Sequence, residues 1–305
     1  MKVNNYRSRD DYANVRNRFI NDMELNFQAK FQTMRRNFLP YKTNHPYLSG
    51  DVFADMCEMK LEGNNFEVSA LNFAKSVFIK GDLLEYYLTS YSELFRNKVV
   101  VSGNSDTNFQ TPVLVKSQIK MLYGQNLAFK NLDRCLTIPI GLENLKLQGS
   151  GNPKFHNEVK QFPFNDIVLI PPMGKSNPVR EEIIKEVIKN KNLFTVQTNR
   201  LPRRKYFNLT RDFRFILVLE GNGFDTHRLW EVLYQGSFPI LFSTQWSRTL
   251  DYLKLPIFAI ENLNQINKKS LSEFWHENKN FVPKQTEALW APFWERRIRE
   301  QVANA

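Results

Sequence analysis

The chain has 305 residues, of which 42% are hydrophobic and 24% are charged. That composition supplies apolar surface for a sizeable core and excludes a disordered or fibrous chain, and the length suits two ordinary domains. The formal net charge of +11 favours anionic partners: nucleic acid, anionic lipid headgroups or phosphate-bearing small molecules. A basic surface that only keeps the protein in solution explains the same charge equally well.

Cysteine usage and hydropathy indicate the compartment. Two cysteines, Cys57 and Cys135, make no disulfide framework and have no Cys-x-x-Cys spacing. The N-terminus has no apolar core of signal-peptide length, and no apolar run approaches the roughly 18 residues of a membrane span. We therefore expect a cytoplasmic protein, with the basic stretch Arg7–Lys42 able to hold it peripherally on the inner face of an anionic membrane.

The N-terminal half alternates between predicted helices and strands. Residues 10–38 carry apolar side chains at three- and four-residue steps, which predicts a helix. Strands are predicted at Ser76–Lys80, Lys98–Ser102 and Cys135–Ile138, with a helix at Leu83–Phe95 between the first two. Alternation of this kind predicts a parallel sheet with crossover helices.

The same alternation restarts after a polar stretch, 146–162, that is the predicted linker. The predicted strands are Asp166–Ile170, Leu193–Gln197, Phe213–Leu219, Phe238–Phe242 and Ile257–Ala259, and the predicted helices are 177–189, Pro202–Leu209, Thr226–Tyr234 and the tail Ser270–Val302. The prediction is therefore an α/β protein with two Rossmann-like parallel-sheet domains facing a cleft, at 1–155 and 156–270, and C-terminal helices at 271–305.

The stretch between the predicted strand at Phe213 and the helix ending at Tyr234 is the most informative. The strand runs into Glu-Gly-Asn-Gly at 220–223, and Asp225 or Thr226 would cap the helix that follows. Glycines at this place let the backbone approach a ligand, and the free N–H groups of a helix N-terminus favour a phosphate.

Side chains suited to an anionic ligand follow in the first turns of that helix. Arg228 can add a bidentate phosphate contact, His227 adjoins it, and Glu231 can accept hydrogen bonds from ribose hydroxyls one turn further on. The third glycine of the dinucleotide fingerprint is missing, and no P-loop pattern is present. On local physics alone, the pattern fits a well-capped helix after a tight turn as well as a ligand site.

The string GNGFDTHRLWEVLYQGSFPILF, residues 221–242, resembles the donor-site signature of bacterial exostosin-like glycosyltransferases. That signature has a Gly-rich turn, Asp-Thr/Cys-His-Arg, a Trp-Glu pair and a Gly shortly before a Pro-led strand. The resemblance extends over residues 165–265 and, more weakly, over 75–145. It implies the GT-B architecture, with a nucleotide-sugar donor in the second domain, an acceptor mostly in the first, and a last helix crossing back to the first domain.

The resemblance also implies roles for individual residues. Arg228 would hold the diphosphate and Glu231 the ribose, while Asn222 and Asp225 would shape the turn or meet the sugar. The implied donor-binding set is Gly221, Asn222, Gly223, Asp225, Thr226, His227, Arg228, Glu231, Arg200, Arg203 and Arg204. The arginines at 200–204 follow a predicted strand and can swing onto the phosphates, or form a solvated surface turn. Glu220 departs from the family pattern and is expected to face sugar hydroxyls.

Sugar transfer needs a stabilised leaving diphosphate and, for inversion, a base that deprotonates the acceptor hydroxyl. The chain has no Asp-x-Asp and no zinc-ligand spacing, so neither a metal nor another cofactor is expected. The candidate bases lie in the first half. Asp82 and Asp106 follow predicted strand ends, while His45 and Asp51 lie in a turn-rich loop, and each fits an ordinary cap or turn residue as well.

The sequence therefore predicts a metal-independent glycosyltransferase in surface-polysaccharide synthesis. Its partners would be a nucleoside-diphosphate sugar and a saccharide or lipid-linked glycan acceptor, with no nucleic acid. The alternatives are a non-catalytic basic protein that binds nucleic acid, and a degenerate transferase that binds a glycan without turnover. Against the first alternative, no zinc-finger spacing or RNA-recognition signature is present.

Overall fold

Two parallel β-sheets form the framework of the part of the chain that the computed structural model describes. Those residues are 43–63, 66–109, 118–129, 133–147, 151–156, 165–174 and 176–304, and they belong to one packed unit. The helix predicted at 10–38, the basic stretch Arg7–Lys42 and part of the predicted linker lie outside them.

The first sheet is parallel throughout, and its strands follow one another in chain order. They are β1 (Met59–Leu61), β2 (Ser76–Lys80), β3 (Val99–Gly103), β4 (Met121–Gly124) and β5 (Cys135–Thr137). Helix α1 (Gly50–Asp55) precedes the sheet, and α2 (Val68–Phe73) and α3 (Gly81–Ser90) connect its first strands. The central strand β3 is buried along its whole length, because a parallel sheet is covered on both faces.

The second sheet is also parallel, but its strand order reverses direction in the middle. Its strands are β6 (Asn165–Ile170), β7 (Phe194–Val196), β8 (Phe213–Leu217), β9 (Phe238–Phe242) and β10 (Phe258–Ile260). The order across the sheet is β10-β9-β8-β6-β7, so the winding switches between β6 and β8. In open α/β sheets a ligand crevice lies at the carboxyl ends of the strands at such a switch point.

Helices connect the strands of the second sheet and complete the chain. Helix α4 (Val179–Val187) follows β6, α5 (Arg203–Arg211) follows β7 and α6 (His227–Tyr234) follows β8. The C-terminal helices are α7 (Lys268–Asn278) and α8 (Ala291–Ala303). The starts of α4 and α6 therefore flank the switch point.

Helix α8 packs against the first sheet although it follows the second in the chain. Trp294 lies edge-on against Phe53, with ring centroids 5.7 Å apart, and its indole Nε1–H donates to the carbonyl of Ala288 at 2.9 Å. The hydroxyl of Tyr123 on β4 donates to the carbonyl of Arg297 at 3.4 Å.

An aromatic cluster joins the two halves through a shared core. The ring of Tyr47 lies 4.9 Å from that of Tyr234 on α6 and 5.0 Å from that of Trp290. The Tyr234 hydroxyl accepts from the backbone N–H of Leu48 at 3.0 Å and donates to the carbonyl of Leu289 at 2.6 Å. The second-half helix is thus bonded both to the first half and to the C-terminal segment.

The α/β class with two Rossmann-like parallel-sheet units is confirmed. The predicted strands β2 and β9 agree residue for residue with the structure, and the other predicted strands differ by one or two residues at an end. The sequence analysis missed β1 and β4, which are three and four residues long and carry little periodicity. The domain boundaries at 155 and 270 stay predictions.

Two predicted helices were too long. The helix predicted at Leu83–Phe95 is α3 followed by a 3₁₀ turn, Ser92–Phe95, because Tyr91 leaves the helical region with φ −129° and ψ 32°. The tail predicted as helical from Ser270 to Val302 is interrupted between α7 and α8 by 3₁₀ turns, the first of which begins at Pro283, a residue that cannot continue an α-helix.

Replacing Trp294 by alanine tests whether α8 is part of the core. Its side chain is 0% exposed, so Trp294→Ala leaves a cavity and is expected to lower the free energy of unfolding by about 3–5 kcal/mol. The measurement is urea unfolding followed by circular dichroism. Phe73→Ala is the control, because that side chain is 87% exposed and its removal should change stability by no more than about 0.5 kcal/mol. Equal losses in both variants would contradict this packing.

Candidate functional site

The loop between β8 and α6, residues 218–226, turns back tightly before the helix begins. The N–H of Gly221 donates to the carbonyl of Gly223 at 3.1 Å. A Cβ on Gly221 would lie 3.2 Å from the Arg180 guanidinium, and one on Gly223 would lie 3.0 Å from the Asn126 amide. A side chain at either glycine would therefore press on a neighbouring side chain, Arg180 on one side of the loop and Asn126 on the other.

A buried carboxylate fixes this loop to the first half. Asp225 accepts from the backbone N–H of Ile140 at 2.8 Å and from the indole Nε1–H of Trp230 at 2.9 Å, and it is only 4% exposed. Burial raises its pKa to about 7, and these hydrogen bonds to the anion oppose that rise. The predicted role of Asp225 in shaping the turn matches these contacts.

Three polar side chains of the first half complete this clamp. The Asn126 Oδ1 accepts from the N–H of Asp225 at 2.8 Å, and the Asn108 Oδ1 accepts from the N–H of Phe224 at 2.9 Å. The Asn222 Nδ2 donates to the Asp106 carboxylate at 3.1 Å. The predicted turn residue Asn222 is thus held by one of the predicted base candidates.

Two arginines flank the switch point between β6 and β8. Arg180, in the first turn of α4, donates to the carbonyls of Leu219 and Glu220 at 3.0 and 2.8 Å. Arg228, at the start of α6, donates to the carbonyl of Pro172 at 2.7 Å. Neither guanidinium forms an ion pair with a carboxylate among the residues of the structure's described ranges.

The two guanidinium groups lie close enough to influence each other. Burial lowers the pKa of Arg180, and the neighbouring Arg228 charge lowers it further. The Glu231 charge acts on Arg228 through Tyr206 rather than by a direct ion pair, so the two cations, held by carbonyls, still offer a site for an anionic ligand.

The Tyr206 phenol and the Glu231 carboxylate support Arg228 through a chain of two hydrogen bonds. The Tyr206 hydroxyl on α5 accepts from the Arg228 Nε–H at 3.0 Å and donates to the Glu231 Oε2 at 3.1 Å. Burial raises the pKa of Tyr206, so the phenol keeps the proton that it donates. Glu231 is 5% exposed, and in this structure its carboxylate faces Tyr206.

An apolar cavity of about 680 Å³ adjoins the arginines at the carboxyl ends of β8 and β9. Its lining includes Phe224, Phe242 and Trp246, together with Arg180, Glu220 and Thr226. Two buried polar atoms of this lining have no hydrogen-bond partner, namely the Thr226 Oγ1 and the Trp246 Nε1. Thr226 is the N-cap of α6, yet its side chain makes no capping bond. Buried polar groups are normally satisfied, so these two atoms indicate a polar ligand.

A second cleft of about 1310 Å³ lies at the carboxyl ends of the first sheet. Its lining includes Lys80, Asp82, Asp106, Lys146 and, from the second half, His227. The His227 Nδ1 lies 2.8 Å from the carbonyl oxygen of Gly141. The cleft is therefore bounded by both halves.

Two of the four candidate bases, Asp82 and Asp106, line this cleft. Asp82 accepts from Lys80 at 2.6 Å, from Ser105 and from Thr107, and the Lys80 hydrogen bond is the largest cause of its lowered pKa. Asp106 lines the cleft beside it.

The other two candidates form ion pairs. Asp51 adjoins the cleft and pairs with Lys146 at 2.9 Å, and Lys146 is a lining residue. His45 lies apart, with its Nε2 3.3 Å from the Glu295 carboxylate on α8.

Of the three arginines of the predicted basic loop, Arg200 lies in a loop beyond the carboxyl end of β7, whereas Arg203 and Arg204 are the first two residues of helix α5. Arg200, Arg203 and Arg204 are exposed, and none of them forms an ion pair within the described part of the chain. No group of three or more metal-ligating side chains comes together among the same residues. In those ranges, no helix combines the length and the apolar character needed to cross a membrane.

Three site residues were not predicted, namely Arg180, Tyr206 and Trp246. They lie outside the glycine-rich segment, and only the fold brings them to it. One signal was available for Arg180, which follows Asn177-Pro178 at a predicted helix start after a strand.

The topology and site define a two-domain, Rossmann-like α/β protein. No family model matches the chain, and no curated protein matches it. Among solved structures it is similar to a UDP-N-acetylglucosamine 2-epimerase, with 10% sequence identity, a TM-score of 0.29 and 79% of each chain covered.

The raised pKa of Asp225 predicts a pH-dependent stability. The folded state holds the Asp225 proton up to about pH 7 and the unfolded chain releases it near pH 4, so this contribution is present in acid and lost as pH rises from 4 to 7. In urea unfolding, the wild type should lose more stability between pH 5 and 8 than Asp225→Asn, by at most about 1.4 kcal/mol per pH unit. The same pH dependence in the folded variant and in the wild type would show that this carboxyl does not titrate near neutrality.

Proposed function

We propose that this protein is an exostosin-like glycosyltransferase of GT-B architecture. It transfers a sugar from a nucleoside-diphosphate sugar to a saccharide or lipid-linked glycan acceptor in surface-polysaccharide synthesis. The observation that carries the proposal is the pair Arg180 and Arg228 at the switch point between β6 and β8, neither of which forms an ion pair with a carboxylate of the described residues. The signature resemblance at 221–242 supports the same assignment.

The diphosphate is assigned to the start of α6. There the free N–H groups of the helix, the two guanidinium groups and the unpartnered Thr226 hydroxyl offer donors to phosphate oxygens. These cations would neutralise the charge that develops on the leaving diphosphate, which is a role that a metal ion takes in other enzymes.

The nucleoside is assigned to the apolar cavity beside the arginines. Its aromatic lining suits a flat base, and the unpartnered Trp246 Nε1–H offers a donor to a base oxygen or nitrogen. Glu231 is turned to Tyr206, so its proposed part is to hold Tyr206 and, through it, Arg228. Glu220 is the carboxylate that lines the cavity and can accept from ribose or sugar hydroxyls.

The acceptor is assigned to the larger cleft on the first sheet. Carboxylate, amide and lysine side chains line it, which are the groups that hydrogen-bond sugar hydroxyls. A lipid-linked acceptor would place the protein at the inner face of a membrane, where the basic stretch Arg7–Lys42 meets anionic headgroups.

Removing either guanidinium tests the donor site. We expect UDP, GDP, ADP, CDP or TDP, or one of their sugars, to raise the melting temperature of the wild type by mass action. Arg180→Ala and Arg228→Ala should each weaken that affinity about 10- to 100-fold, since a charged hydrogen bond contributes about 1.5–3 kcal/mol. Each variant is compared with its own ligand-free melting temperature.

Arg96→Ala is the control for this experiment, because Arg96 is exposed and pairs with Glu93 on the first half. It should leave the ligand-induced shift unchanged. If no nucleotide stabilises the wild type, or if all three variants respond alike, the proposed function is wrong. A basic protein that binds nucleic acid would instead bind an oligonucleotide with a steep salt dependence.

Trp246→Phe tests the nucleoside cavity separately from the phosphate site. The substitution keeps an aromatic ring and removes the indole N–H, which has no partner in the protein. The affinity for the nucleoside diphosphate should fall roughly 2- to 10-fold, as expected for one neutral hydrogen bond, while the affinity for pyrophosphate stays unchanged. Isothermal titration calorimetry distinguishes the two ligands. A parallel loss for pyrophosphate would place the indole at the phosphates instead.

A further inference from the structure

The first residue of α6 is a histidine whose ring faces the proposed acceptor cleft. His227 lines that cleft, and its Nδ1 lies 2.8 Å from the carbonyl oxygen of Gly141. A carbonyl oxygen only accepts, so the Nδ1 carries the hydrogen. In the neutral ring the Nε2 therefore has a free lone pair, which is the state of a general base.

The Gly141 carbonyl, which accepts from the His227 ring, is fixed by the backbone of the first half. Gly141 has φ +67°, and a Cβ there would lie 2.3 Å from the carbonyl oxygen of Leu48. Only glycine fits this position, and the Leu142 N–H of the same peptide unit donates to the Leu48 carbonyl at 2.7 Å, which holds the Gly141 carbonyl in one orientation.

We propose that His227 is the general base of sugar transfer, an inference that rests on the proposed function. His227 and Arg228 are consecutive on α6, yet their side chains serve different places: His227 faces the cleft, and Arg228 faces the switch point. A donor whose diphosphate lies at the start of α6 has its anomeric carbon next to that turn. The acceptor hydroxyl then reaches the carbon from the cleft side, beside the Nε2.

Three carboxylates at or beside the cleft are bonded to other side chains. Asp82 is bonded to Lys80, Asp106 to Asn222 and Asp51 to Lys146. The charged groups that line the cleft around His227 are Glu62, Lys80, Asp82, Asp106 and Lys146, and Arg228 follows His227 on the helix. His227 differs from these groups in that a hydrogen bond to a main-chain carbonyl orients its ring.

The step is a single displacement. The acceptor oxygen bonds to the anomeric carbon as its proton passes to the His227 Nε2. The bond from that carbon to the phosphate oxygen breaks, and its electron pair leaves with the nucleoside diphosphate. Attack and departure occur on opposite faces, so the configuration of the transferred sugar inverts.

His227→Asn is the sharpest variant, because the asparagine Nδ2 can replace the ring Nδ1–H toward Gly141 while no atom replaces the Nε2. The assay is release of nucleoside diphosphate from UDP-, GDP-, ADP-, CDP- and TDP-hexoses, with water as the acceptor, across pH 5–9. We expect kcat to fall about 10²- to 10⁴-fold, with nucleoside diphosphate affinity unchanged and the loss of activity toward acidic pH abolished. His276→Asn is the matched control, because His276 is exposed on α7.

A spectrum independent of turnover accompanies the assay. In ¹⁵N-histidine-labelled protein, the signals lost in His227→Asn should show the neutral ring with its proton on Nδ1. A proton on Nε2 would overturn the base role. So would a variant with wild-type kcat in a protein that binds a nucleoside diphosphate, and the transferase function would then stand. If the wild type neither binds nor turns over any of these nucleotides, the transferase function fails and the base role fails with it.

Discussion

The buried carboxylate of Asp225 is the interaction on which the site depends. It accepts from Ile140 of the first half and from Trp230 of its own helix, and Asn126 holds the adjoining N–H. Without these bonds, the loop would keep Asn108 and Asp106 on the first half and Arg180 on α4 as partners, but it would lose its buried anchor. Because the carboxylate is buried at the junction, it also couples the placement of α6 to the first half, and α6 presents the functional side chains.

The first four residues of helix α6 face four different parts of the structure. His227 faces the first-sheet cleft, Arg228 the switch point, Leu229 the core and Trp230 the buried carboxylate. A rotation of about 100° per residue sends consecutive side chains in different directions, so one turn of helix reaches the switch point, the first-sheet cleft and the junction of the two halves at once. The two hydrogen bonds of the Tyr234 hydroxyl, at the far end of the helix, hold the helix against rotation.

Charge is concentrated where the sheet winding reverses. Arg180 and Arg228 are 48 positions apart in the chain, yet both follow strands that are neighbours across the switch point. Carbonyl oxygens and a phenol hold them in place without a direct ion pair to a carboxylate of the described residues. The positive charge of the chain as a whole is thus less informative than these two half-buried cations, because exposed arginines such as Arg203 are screened by water.

The sequence by itself determined the α/β class and most of the strands, and it indicated the segment 221–231 as a candidate ligand site. Strand periodicity, glycines and helix caps are local signals. Short strands such as β4 were not predicted, because four residues are too few to show a periodicity of apolar side chains. Only the tertiary structure decided which side chains meet. It brought Arg180 and Trp246 to the glycine-rich loop, turned Glu231 toward Tyr206, and aimed His227 at the cleft. Those outcomes depend on strand order and on packing between the two halves, which no local stretch of sequence contains.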